Sequence, residues 1–124
     1  MEFKATDQAP AAVGPYSQAV QTGNLIFCSG MIPLDPATKA VVGDDIEAQT
    51  RQVFSNLNGL LSGIGSSLNN VVKTTVFLTN MGDFGAFNAV YAEGFGDHKP
   101  ARSTVEVAAL PLGVLVEVEC IVEV

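Results

Sequence analysis

Arg102, Thr104 and Glu117 are the side chains of this chain best placed to do chemistry, and they fall in two alternating runs near its end. The first run is Pro100–Val107 and the second Val114–Ile121. Residue-by-residue alternation is the period of a β-strand. In the first run Arg102, Thr104 and Glu106 share one face, and Ser103, Val105 and Val107 the other. In the second, Val114, Val116, Val118 and Cys120 oppose Leu115, Glu117, Glu119 and Ile121. The connection Ala108–Gly113 carries Pro111 and Gly113, which predicts a hairpin. With the valine rows on one buried face, Thr104 is expected opposite Glu117 and Arg102 opposite Glu119.

That arrangement has a chemical use. A guanidinium held on a sheet binds a carboxylate through two parallel hydrogen bonds. Glu117 in an enclosed site can hold a water and move protons, with burial raising its pKa toward neutrality. Thr104 can orient the same water through its hydroxyl. Tyr16, at the end of a Gly-Pro loop, can close such a site with its ring and hydroxyl. Each residue also has a plainer reading. Arg102 can pair across strands with Glu119 or Glu106 for about 0.2–1 kcal/mol. Glu117 can be an ordinary exposed strand glutamate, Thr104 can serve β-propensity alone, and Tyr16 can cap the core.

Composition narrows the field. With 124 residues, 48% hydrophobic and 15% charged, the chain is expected to form one domain, residues 1–124, with its own core. So low a charged fraction also suggests that another subunit covers part of the surface. The net charge is −7 with six Lys plus Arg and no basic cluster, so nucleic acid is a poor partner. No leader pattern and no long apolar run is present, and no membrane association is expected. Cys28 and Cys120 sit in apolar runs without metal-ligand spacing and read as small buried hydrophobes, with a disulfide or metal site the lesser alternative, which suits a cytoplasmic, reducing compartment. His98, the only histidine, stands in a polar turn with no second ligand nearby. No GxGxxG, Walker loop, HExxH or GxSxG occurs, and no metal or organic cofactor is implied.

The positioning elements follow in chain order. Met1–Ala5 predicts a short strand, and Gln8–Tyr16, with Pro10, Gly14 and Pro15, an ordered loop. Residues 17–29 predict a hairpin turning at Thr22-Gly23-Asn24, with Gly30 ending its second strand. Asp44 as N-cap with Glu47 opens a helix whose Ile46, Thr50, Val53, Leu57, Leu60, Leu61 and Ile64 recur at helical spacing until Gly63 and Gly65. Asn70–Asn80 returns to strand, with Val72, Thr74, Val76 and Leu78 on one face. A second helix starts at Asp83, its stripe of Phe84, Phe87, Tyr91 and Phe95 expected to be core. Two helices can cover one face of a sheet of about six strands. The other face is expected to present Arg102, Thr104, Leu115, Glu117, Glu119 and Ile121, a mixture that suits an oligomer interface holding polar sites.

Ala9–Gln18, Cys28–Pro33, Val72–Leu78, Pro100–Val107 and Val116–Glu119 together resemble the RidA (YjgF-like) family of reactive-intermediate deaminases. The likeness spans essentially the whole chain, in order. It implies a chorismate-mutase-like α+β fold, mostly antiparallel, assembled as a homotrimer with three sites at subunit clefts. By the same likeness Arg102 corresponds to the arginine that clamps the substrate carboxylate, and Glu117 to the glutamate that activates water. Thr104 stands where many members carry Cys, so no thiol acts there. Tyr16 and the Gly30 backbone match the pocket wall and a carboxylate contact, and Asn88 a helix position near the pocket. The implied reaction is hydrolysis of imines and enamines, such as 2-aminoacrylate and 2-iminopropanoate, to 2-keto acids and ammonia. Two other readings accompany it. Some members are described as endoribonucleases or translation inhibitors, for which a charge of −7 is unfavourable. A keto-acid-binding trimer without catalysis would need Arg102 but not Glu117.

Overall fold

A computed structural model describes residues Met1–Val124. Six strands form one sheet: β1 (Glu2–Lys4), β2 (Ala19–Thr22), β3 (Leu25–Met31), β4 (Val71–Leu78), β5 (Ala101–Glu106) and β6 (Val116–Glu123). Their spatial order is β1-β2-β3-β6-β4-β5. Every pairing is antiparallel except β4 with β5. Helices α1 (Ile46–Gly63) and α2 (Phe84–Phe95) pack on one face, giving the α+β architecture expected. No helix is long and apolar enough to cross a membrane.

The core lies between that face and the helices. Val116, Val118 and Val122 of β6 and Val76 and Leu78 of β4 are fully buried against Val53, Leu57, Leu60 and Leu61 of α1 and Phe87 of α2. Each such side chain contributes about 1.5–3 kcal/mol by leaving water. Helix α1 starts one residue later than the sequence pattern suggests. Asp45, not Asp44, is the N-cap, and its carboxylate accepts from the Ala48 amide at 2.8 Å. Gly65, at φ +83°, turns the chain away after α1. In β4 a register shift between Val71 and Lys73 buries Val71 and leaves Val72 39% exposed, so Val72 is not on the core face. Strand β3 runs through Gly30 to Met31 rather than stopping there.

The expected hairpin of β5 and β6 does not form. Strand β4 lies between them, and β5 follows β4 in parallel after the α2 crossover. A strand–helix–strand unit joins parallel neighbours, and that geometry prevails over the short Pro-Gly connection. Strand β4, with Val71, Thr74, Val76 and Leu78 buried, suits an interior position; β5, exposed or half-buried throughout, stays at the edge. The consequence reaches the candidate site. Arg102 and Thr104 pair with Thr74 and Val76, whose side chains face the helices, while Glu117 and Glu119 pair with Phe77 and Thr75 on the open face. Thr104 therefore does not stand opposite Glu117, nor Arg102 opposite Glu119.

Candidate functional site

Arg102 is anchored from helix α2. Its Nη1 donates to Asn88 Oδ1 at 2.7 Å, and its guanidinium carbon lies 4.7 Å from the Tyr91 ring centroid and 5.4 Å from that of Phe84. A planar cation against aromatic rings gains cation–π attraction and loses little freedom on binding. The Tyr91 hydroxyl is tied to Thr74 at 2.7 Å inside the core, and burial pushes its phenol pKa up. The aromatic stripe is core, as expected, and its Tyr91–Phe84 end also seats the arginine. The ion pairs weighed for Arg102 are absent: the salt bridges are Lys4–Glu2 and Arg51–Glu93. Glu106 instead accepts from the Met81 amide at 2.7 Å. Arg102 thus retains charge and free donors.

Thr104 lies two residues further along the same face of β5. Its Oγ1 is buried and has no hydrogen-bond partner. Buried hydroxyls are nearly always partnered, so this one is left able to bond a group that the chain itself does not supply.

The remaining candidates gather elsewhere. Gly30 and Glu117 touch across the β3–β6 pair, where the register shifts between Cys28 and Met31. A Cβ at Gly30 would overlap Glu117 Oε2, so only glycine lets the carboxylate lie against that backbone. Burial, and then the charge of Glu119, raise the Glu117 pKa above the ordinary carboxylate value. Both residues line a 650 Å³ cavity with Tyr16, Ser29, Ile32 and Leu112. Tyr16 is 53% exposed at its mouth. His98, by contrast, is spent on structure, its Nε2 lying 2.6 Å from the Val71 carbonyl oxygen.

Residues not singled out from sequence hold this half together. Gln18 is buried; its Nε2 donates to the Pro10 carbonyl at 2.7 Å and its Oε1 accepts from the Thr6 amide at 2.7 Å. This pins the loop that carries Tyr16. Ser29 Oγ donates to the Ser17 carbonyl at 2.6 Å, and Asn56, buried on α1, donates to the Leu34 carbonyl at 2.8 Å. A glutamine just before a strand carries no pattern that announces such a role.

One chain therefore holds two clusters. Arg102, Asn88 and Thr104 lie on the helix side of the edge strand; Tyr16, Gly30 and Glu117 line the open-face cavity.

Residues 6–124 match the family described as Endoribonuclease L-PSP. A RutC family protein of Pyrococcus horikoshii is 53% identical over 116 residues, covering 94% of this chain and 92% of the relative. The chloroplastic Reactive Intermediate Deaminase A of Arabidopsis thaliana is 47% identical over 120 residues, covering 97% of this chain and 64% of the relative. Among solved structures, E. coli TdcF with bound serine has a TM-score of 0.94 at 37% identity, covering 100% of this chain and 99% of that one. The chain belongs to the RidA (YjgF-like) family, and its relatives support a function of RidA type.

Proposed function

We propose that the protein is a 2-iminobutanoate/2-iminopropanoate deaminase, hydrolysing reactive imines and enamines to 2-keto acids and ammonia. One observation carries this reading most: Arg102 is held rigidly by Asn88, Phe84 and Tyr91, yet no carboxylate of the chain neutralises it. Such a group is preorganised for the planar carboxylate that every 2-imino acid carries. The serine bound to E. coli TdcF is a small amino acid with the same carboxylate.

Hydrolysis adds one water and expels one ammonia. Arg102 would fix the carboxylate and so orient C2 of the imine. Water held by Glu117 and Thr104 would attack C2, Glu117 accepting its proton. The carboxyl would then return that proton to the nitrogen, giving a carbinolamine; the same carboxylate would carry the hydroxyl proton to the nitrogen as the C–N bond breaks, releasing ammonia and the 2-keto acid. Burial and the Glu119 charge raise the Glu117 pKa and so make its carboxylate a stronger proton acceptor than an ordinary glutamate.

The two clusters lie on opposite faces, so the complete site is proposed to form between copies, one supplying Arg102, Thr104 and Asn88 and its neighbour Tyr16, Gly30 and Glu117. Self-association would also cover Phe27 and Val105, exposed at 44% and 43% on the open sheet face. A ring with one cluster meeting the other head to tail makes equivalent sites, and the proposed assembly is a homotrimer acting in the cytoplasm. An endoribonuclease reading has the family description in its favour, but two of the six basic residues, Lys4 and Arg51, are already paired with glutamates. RNA binding with a steep salt dependence would support it.

The direct assay generates imines in place with a threonine dehydratase and follows release of 2-ketobutyrate. The wild type is expected to accelerate release, and Arg102→Ala to lose roughly 10²-fold. No acceleration by the folded wild type would remove the proposal and leave a non-catalytic binder of keto acids.

A further inference from the structure

Cys28 and Cys120 take no part in the chemistry above, and their placement is specific. They are direct cross-strand partners in the antiparallel pairing of β3 with β6. Both are free, both lie in the core cluster, and they are only 6% and 3% exposed. Directly opposed residues of an antiparallel pair have Cα atoms about 4.5–5.5 Å apart, inside the roughly 4.4–6.8 Å range of disulfides. Their Cβ atoms, typically about 4.5–5.5 Å apart in such a pair, must draw in toward the ~3.8 Å that a disulfide prefers.

We propose that Cys28 and Cys120 form a reversible oxidation site, converted by a peroxide to an intramolecular disulfide that joins β3 to β6. The thiols are paired for the task. A hydrogen bond with Cys120 holds the Cys28 thiol below its ordinary pKa against the opposing effect of burial, while that bond and burial hold Cys120 well above.

The chemistry balances with one peroxide per pair. The Cys28 thiolate attacks a peroxide oxygen, the O–O bond breaks, and Cys28 becomes a sulfenic acid while water or an alcohol leaves. The Cys120 sulfur then attacks Cys28 Sγ, the S–S bond forms, the S–O bond breaks, and a second water leaves. Two electrons pass from the thiols to the peroxide, and a dithiol reductant returns them. Because the strands must draw together, the bond is of the strained, easily reduced kind rather than a permanent structural one. It would also fasten the sheet beside the register shift at which Gly30 seats Glu117.

The test uses the folded, assembled wild-type protein, treated with hydrogen peroxide near stoichiometry. Free thiols are counted after denaturation, and the intact mass and non-reduced peptide map are measured. The expected result is the fall of both thiols together, loss of two hydrogens in mass, a Cys28–Cys120 linked peptide, and full recovery with dithiothreitol. Cys28→Ala and Cys120→Ala are each expected to lose the linked peptide. Two thiols retained, oxygen added without cross-linking, or a bond between chains would each overturn the proposal. The thiol count reads the wild type, so it stands even if a variant folds poorly, and it is independent of any deaminase assay.

Discussion

Arg102 is a residue whose surroundings say more than its type. Asn88 orients one edge of the guanidinium and Tyr91 its face, which leaves the other edge free. A lysine would keep the charge but lose the planar fork and the stacking. Arg102→Lys is therefore expected to lose most of the imine hydrolysis that Arg102→Ala loses, roughly tenfold or more, chiefly through weaker substrate orientation; steady-state kcat/KM for the imine measures it, and wild-type activity in the lysine variant would contradict the bidentate clamp. Glu117 gives a second prediction. Its carboxyl must be ionised to accept a proton from water, and burial with the Glu119 charge raises its pKa. Activity is expected to fall as pH drops through that raised value, at higher pH than an ordinary glutamate would cause. Glu117→Gln should lose about 10²–10⁴-fold in turnover while binding is largely kept. The stability sign is the reverse of the usual acid: the folded state holds the proton more tightly, so this residue's contribution is best below its unfolded pKa and declines as pH rises through the folded one. Thermal unfolding near neutral pH is thus expected to show Glu117→Gln at or above the wild-type midpoint, and a clearly lower midpoint there would refute the account.

At the scale of elements, helix α1 was legible because its apolar residues recur at the helical period, and Val53, Leu57, Leu60 and Leu61 are all fully buried. Its start was off by one because Asp44 and Asp45 are both competent caps, and only geometry shows which carboxylate reaches the Ala48 amide. Asp45→Ala is expected to cost about 1 kcal/mol of stability and Asp44→Ala close to none, checked by chemical denaturation. Alternation correctly placed the strands that carry Arg102, Thr104 and Glu117. It could not tell which strands are neighbours. Period-two patterning reports which residues share a face, and the insertion of β4 between β5 and β6 put Arg102 and Thr104 on the helix side and Glu117 on the other. The register shift that exposes Val72 is likewise invisible to a simple alternation. Gly30 and Asn88 entered as site residues through family likeness rather than through any pattern in the residues, while Tyr16 was also marked by its place at the end of a Gly-Pro loop. Gln18, which pins the loop of Tyr16 through backbone hydrogen bonds, was not legible at all.

At the scale of the whole molecule, the separation of the two clusters becomes the central fact. Arg102 and Thr104 lie on the helix side of the edge strand and Glu117 in the open-face cavity, so the proposed shared site requires two copies of the chain. A ring of copies joined head to tail would bring them together and cover the exposed Phe27 and Val105. The low charged fraction of 15% is consistent with such a covered surface. The most direct measurement is complementation between two inactive variants, Arg102→Ala and Glu117→Gln, co-expressed and assayed for imine hydrolysis. In mixed rings an intact arginine of one copy meets an intact glutamate of its neighbour at about a quarter of the sites, so roughly a quarter of wild-type activity is expected to return. Mixed assemblies that form and stay as inactive as either variant alone would contradict a site shared between copies.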